Sequence, residues 1–190
     1  MTSFRILFSF LLIVLIFVGC ASREPAKIST PATEKKIKEI PKWYLNPPQD
    51  DKFLFGPGTA TSRDMQTARD KASQAGTLEI SKAFKSRYSA LIKRFEEEVG
   101  TDLDAQYLDQ FTQVTKQVID VELTGLMIQE TEILNEDGVF RCYILMKLDM
   151  GRYNKMLVNE IKKQEQLYTI MRSSSSFLEL DKNTGHAGGD

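Results

Sequence analysis

The sequence predicts an α+β domain: a small antiparallel sheet of about three strands packed against a long helix and two further helices, in the order β-α-α-β-β-α. Three observations predict it. Apolar positions from Met65 to Val99 recur at helical spacing over an unusually long stretch. Asn135-Glu136-Asp137-Gly138 has the chemistry of a tight hairpin turn and lies between two strand-like runs. A short aromatic run, Lys52 to Thr61, ends in glycines just before the long helix.

Lys52 to Thr61 reads as the first strand, with Phe53 and Phe55 and the glycines of Gly56-Pro57-Gly58. Ser62 is placed to cap the helix that follows, and Thr61 with Asp64 has capping-box spacing. Along that helix Met65, Ala68, Ala72, Ala75, Leu78 and Ile80 give way to Phe84, Tyr88, Leu91, Phe95 and Val99. Its small-residue first half allows close approach to a sheet or another helix. Gly100 ends it, and Thr101 or Asp102 can cap a second helix carrying Leu103, Tyr107, Leu108, Phe111, Val114 and Val118 on one face.

Val121 to Leu134 turns to an imperfect strand pattern, with a bulge or bend expected at Gly125. Val139 to Leu148 is the return strand after the hairpin. Asp149 can cap a last helix whose Tyr153, Met156, Leu157, Ile161 and Tyr168 form an apolar stripe. Three strands leave edges, and an exposed edge suits self-association or addition of a partner's strand.

Around this domain, Pro41 to Met171, lie segments of other kinds. Residues 1–19 carry one cation, Arg5, and an apolar run from Phe10 to Val18, the pattern of a secretory signal peptide. That run is short of the roughly 20 residues a membrane-crossing helix needs. Gly19-Cys20, directly after it, resembles the lipobox of bacterial lipoproteins, with Phe17 where leucine is usual. The resemblance implies removal of residues 1–19, a diacylglycerol on the Cys20 sulfur and an acylated new amino terminus. Two or three acyl chains suffice for stable anchoring without a spanning helix. Residues 20–40, rich in Ser, Thr, Pro, Lys and Glu, read as a lipidated flexible tether. Residues 172–190 read as a disordered tail that contains His186, the sole histidine.

Charge and composition exclude much. Cleavage after Gly19 leaves 24 basic and 26 acidic residues, so no strong field of either sign points to nucleic acid. With Cys20 acylated, Cys142 has no disulfide partner and its apolar surroundings mark a buried, inert thiol. One tail histidine excludes a histidine triad or a histidine-rich metal site. Gly56-Pro57-Gly58 lacks the third glycine and the parallel crossover of a dinucleotide-binding loop. The acidic pairs Asp50-Asp51 and Glu97-Glu98 fall on a loop and a charged helix face, where carboxylates are normally solvated. No nucleophile motif, metal spacing or phosphate loop is present, so no enzyme, cofactor or metal is expected.

Pro41-Lys42-Trp43-Tyr44-Leu45-Asn46-Pro47-Pro48 is expected to be extended between its prolines. Trp43 and Tyr44 either clamp the start of the domain onto its core or form an aromatic surface for a partner. This segment, then Phe53-Leu54-Phe55-Gly56-Pro57-Gly58-Thr59-Ala60, then the helix with Ala68, Ala72 and Ala75, resembles the Lpp-twenty family of small bacterial outer-membrane lipoproteins. The resemblance spans residues 41–155; Pro57 between the glycines departs from the pattern.

It implies an α+β lipoprotein domain without established enzymatic activity, in some members part of structures around the flagellar motor. Ala21 and Ser22 omit the aspartate that retains many lipoproteins at the inner membrane, so outer-membrane placement follows by analogy. The expected partners are the membrane, through the lipid, and envelope proteins or further copies of the chain. The competing class is a small-ligand or lipid-binding module with an apolar pocket between sheet and long helix.

Overall fold

A computed structural model describes residues 37–99 and 105–184. Its order is α1 (Lys42–Leu45), β1 (Phe53–Ser62), α2 (Met65–Val99), α3 (Ala105–Ile119), β2 (Met127–Glu136), β3 (Val139–Asp149), α4 (Gly151–Lys163), α5 (Glu165–Met171) and α6 (Ser175–Lys182). The architecture is α+β with the expected β-α-α-β-β-α order and three further short helices. Cys20, most of the tether, the Gly100 to Asp104 connection and His186 lie outside the described residues.

The sheet is antiparallel throughout, ordered β1-β3-β2, so β3 is central. Its Cys142-Tyr143-Ile144-Leu145-Met146 run is buried on both faces, which is why it lacks the alternation of a half-exposed strand. The β2–β3 hairpin closes as the sequence predicts. Asp137 and Gly138 both have positive φ, 53° and 83°, and the Asn135 Oδ1 accepts the Gly138 N–H at 3.0 Å.

Helix α2 lies across β1 and β3. Glycine makes the contact possible. A Cβ on Gly56 would strike the Gly76 carbonyl and one on Gly58 the Ala72 carbonyl, while one on Gly76 would lie 2.7 Å from the Met146 side chain. Ala68 and Ala72 are fully buried there, so helix and sheet touch backbone to backbone. The 35 residues of α2 extend roughly 50 Å, more than the strands can cover. Its second half turns instead to the other helices. Phe84 packs edge-on to Tyr153 of α4 at 4.9 Å, and Phe95 to Phe111 of α3 at 4.7 Å.

Several local expectations are corrected. The Pro41–Pro48 segment is not extended: Pro41 O accepts the Tyr44 and Leu45 N–H groups and starts the single turn α1. Proline is compatible with the position before a helix, and the extended backbone of Asn46 before Pro47 ends the turn. No Thr61–Asp64 capping box forms. Asp64 itself caps α2, its Oδ1 accepting the Thr67 N–H at 2.7 Å, while Ser62 Oγ accepts the Asp64 N–H at 3.2 Å.

Gly125 (φ 81°) lies before β2, and the register slip comes between Ile128 and Glu130. The strand starts late because Thr124 bonds elsewhere. Its N–H donates to the Tyr153 hydroxyl at 2.8 Å, and that hydroxyl donates to its carbonyl at 3.0 Å. The last helix breaks at Gln164, which puts Tyr168 on α5 and turns the chain so that Leu167 and Met171 are buried.

The tail is also corrected between residues 172 and 184. Ser174 Oγ accepts the Phe177 N–H at 3.2 Å and starts α6, whose Phe177 and Leu180 are buried. The serine run is a helix start, and Phe177 and Leu180 share one face. Tyr168 packs edge-on against Phe177 at 5.7 Å.

Among the described residues two buried hydroxyls lack a partner, Thr59 Oγ1 on β1 and Thr115 Oγ1 on α3. Thr115 on α3 is fully buried and its Oγ1 makes no hydrogen bond. Valine has the same shape without the polar atom, so Thr115→Val is expected to raise stability by about 1 kcal/mol in urea unfolding.

Candidate functional site

The sequence-predicted interaction pair is partly absorbed into the fold. Tyr44 stacks edge-on against Tyr143 of β3, ring centroids 5.0 Å apart, and Trp43 lies 6.4 Å from Tyr44. Both are half-buried. This is the clamp arrangement, holding α1 on the sheet face away from α2. Cys142 is buried and free, and burial pushes its thiol pKa up, which suits an inert thiol.

One carboxylate of each acidic pair, Asp50 and Glu98, accepts hydrogen bonds within the fold. Asp50 Oδ1 accepts the Lys52 N–H at 2.7 Å at the entry to β1, and Arg87 donates to the Asp51 carbonyl. Glu98 was expected to be only solvated, and that is corrected. It accepts from Ser175 Oγ at 2.6 Å, Ser176 Oγ at 2.7 Å and the Ser176 N–H at 3.2 Å, capping α6 from outside. Sequence could not show this, because 77 positions separate Glu98 from Ser175.

Partial burial opposes the charge on Glu98, but the Ser175 and Ser176 hydrogen bonds outweigh it and hold its carboxyl below the usual range. A lowered folded-state pKa means the contact stabilises α6 above the unfolded value of about 4.3 and is lost as pH falls through the folded value. Protection of the α6 amides, measured against their intrinsic exchange rates, is therefore expected to fall as the pH drops through that folded value. Glu98→Gln should show faster exchange already at neutral pH and remove that dependence.

Among the described residues no group of three or more His, Cys, Asp or Glu is placed to hold a metal, and no helix is long and apolar enough to cross a membrane. At the sheet–α2 interface, where an apolar pocket was one expectation, Gly56, Gly58 and Gly76 bring the two elements into direct contact. A cleft of about 460 Å³ lies instead between α2 and the chain following α3. Thr77, Ser81 and Lys85 line one side and Asp120, Glu122 and Leu123 the other, a mixed polar and apolar wall.

The most open part of the domain is β2. Residues 127–132 are all exposed, with Met127 at 53% and Ile128 at 41%. The strand is ten residues long, an edge of the sheet, and contains no proline, glycine or lysine. The other edge, β1, has Pro57 in its middle, which removes one donor from its ladder. Sequence reading foresaw open edges but could not say which strand would be central, since a lone first strand can join a hairpin on either side.

The chain matches no family model and no curated protein. Among solved structures it is similar to the secreted protein HP1454 from Helicobacter pylori, with 13% identity over 72% of this chain and a TM-score of 0.29. It spans 55% of the length of that protein.

Proposed function

We propose that this protein is a non-enzymatic bacterial envelope lipoprotein, held on the outer membrane by acylated Cys20, whose folded domain docks other proteins. The observation that carries the docking is β2: a ten-residue edge strand with exposed Met127 and Ile128 and without proline, glycine or lysine. The anchor rests on the signal-like segment and Gly19-Cys20. The resemblance to the Lpp-twenty family supports an envelope setting, including structures around the flagellar motor.

Labelled palmitate incorporation tests the anchor, comparing wild type with Cys20→Ala in membranes. Label in the wild type and none in the variant supports it; equal labelling sinks it. Crosslinking in the same membranes tests the docking, and its absence from wild type counts against a docking role.

A second reading, a small-ligand or lipid-binding module, draws on the α2–α3 cleft. It expects a guest in organic extracts of the purified protein, lost on Ser81→Phe. Extracts identical for both proteins would remove it.

A further inference from the structure

Resting on the docking role just proposed, we infer that the β2 edge accepts an extended segment of a partner protein with Lys or Arg at alternate positions. The register places Glu130 opposite Leu145 and Glu132 opposite Tyr143, on the sheet face away from α2. Thr131, opposite Ile144, lies on the α2 face. Both glutamates are exposed and make no ion pair or hydrogen bond among the described residues. Glu136, further along, is engaged by Arg141, with Nε to Oε1 at 2.9 Å. The free edge therefore presents two unpaired carboxylates, two residues apart on one face, beside an unpaired backbone.

A second copy fits this edge poorly in the registers that overlap most of the strand. Two copies of β2 joined antiparallel about a two-fold axis place residues of the same face opposite one another. Centred on Thr131, Glu130 meets Glu132. Centred on Glu132, that residue meets itself. Centred on Ile133 or Leu134, Glu130 or Glu132 meets Glu136. Each of these registers sets carboxylates directly opposite, which destabilises a pair of strands, with Arg141 offsetting part of the Glu136 charge in the last two.

A strand with the pattern cation–apolar–cation reverses the sign. Its cations face Glu130 and Glu132, and its intervening apolar side chain lies on the Thr131 side, near exposed Ile128. Main-chain hydrogen bonds to β2 supply the attachment and the charges supply the choice of partner.

The probe is a short synthetic peptide of alternating lysine and valine, added to the full chain, with amide exchange of β2 and calorimetric affinity as readouts. The expected result is binding that slows exchange along β2. Glu130→Lys with Glu132→Lys should weaken it about tenfold or more while a glutamate–valine peptide gains affinity for that variant. Both sites are exposed, so the variant keeps the wild-type thermal midpoint.

The same lysine peptide N-methylated at alternate amides keeps its charge but loses strand pairing, and is expected to bind at least about tenfold more weakly. Equal binding of the methylated peptide, no change in β2 exchange, or dimerisation of the protein through β2 overturns the inference. If the peptide fails while crosslinks from β2 persist in membranes, the assigned partner chemistry is wrong and the docking role stands. If both fail, the docking role falls with it.

Discussion

Gly58→Ala is expected to cost on the order of 4 kcal/mol or more, enough to leave the domain largely unfolded, although it adds a single methyl group. The methyl has nowhere to go. It would meet the Ala72 carbonyl and the Gly76 amide nitrogen, backbone atoms of a helix that cannot step aside without leaving the whole sheet. Overpacking of a side chain can be absorbed by rotamer changes; overpacking of backbone against backbone cannot. Separating α2 from β1 and β3 would uncover Ala68, Ala72, Ile80 and Ile144 together.

Gly125→Ala is the contrasting case. Nothing lies within 4 Å of its added methyl, so only the left-handed backbone at φ 81° resists, at about 1–2 kcal/mol. Guanidinium unfolding of both variants decides the matter. Similar midpoints for the two would show that helix and sheet are not in backbone contact.

Phe84→Ala is expected to cost about 3–5 kcal/mol. The ring is 1% exposed and sits edge-on to two others, Tyr88 and Tyr153, each 4.9 Å away. It joins the two halves of the molecule, since α2 leaves the sheet near this residue and enters the helical layer. Tyr88 donates to Asn154 Oδ1 at 3.0 Å, and Asn154 Nδ2 donates to the Asn183 carbonyl at 3.1 Å. Burial raises the Tyr88 pKa, so the hydroxyl remains a donor at neutral pH.

Removing Phe84 would loosen both tyrosines, and with Tyr153 the hold on the Thr124 backbone. Faster amide exchange at Thr124 should accompany the stability loss. Phe84→Leu fills much of the space and should lose less than about 2 kcal/mol. Equal losses for Leu and Ala would mean that the edge-on ring contacts, and not the filled volume, carry the stabilisation.

These two positions show what could be read from the residues alone. The alanine and glycine steps of α2 announced close approach, and the aromatic half announced a different neighbour, but neither named its partner surface. The pairings Gly58–Ala72 and Phe84–Tyr153 follow from strand order and from the turn at Gln164. No glycine or proline marks that turn. The hairpin was legible because Asp137-Gly138 carries its own geometry. The serine-rich composition of residues 172–184 suggests a loose tail, but Ser174 caps a helix there and Glu98 reaches in from α2.

The candidate docking strand was half legible. Its exposed edge was foreseen, but the unpaired state of Glu130 and Glu132 depends on Arg141 choosing Glu136. Cys20 stands on sequence alone.

The central claim is that the domain meets its partner through β2. It is tested most directly by a photocrosslinking residue placed at Gln129 of β2, beside a control at exposed Glu79 on α2, in native membranes. The account predicts a discrete adduct from position 129 that disappears with Glu130→Lys and Glu132→Lys, and none from position 79. Equal crosslinking from both positions, or none from 129, would contradict it.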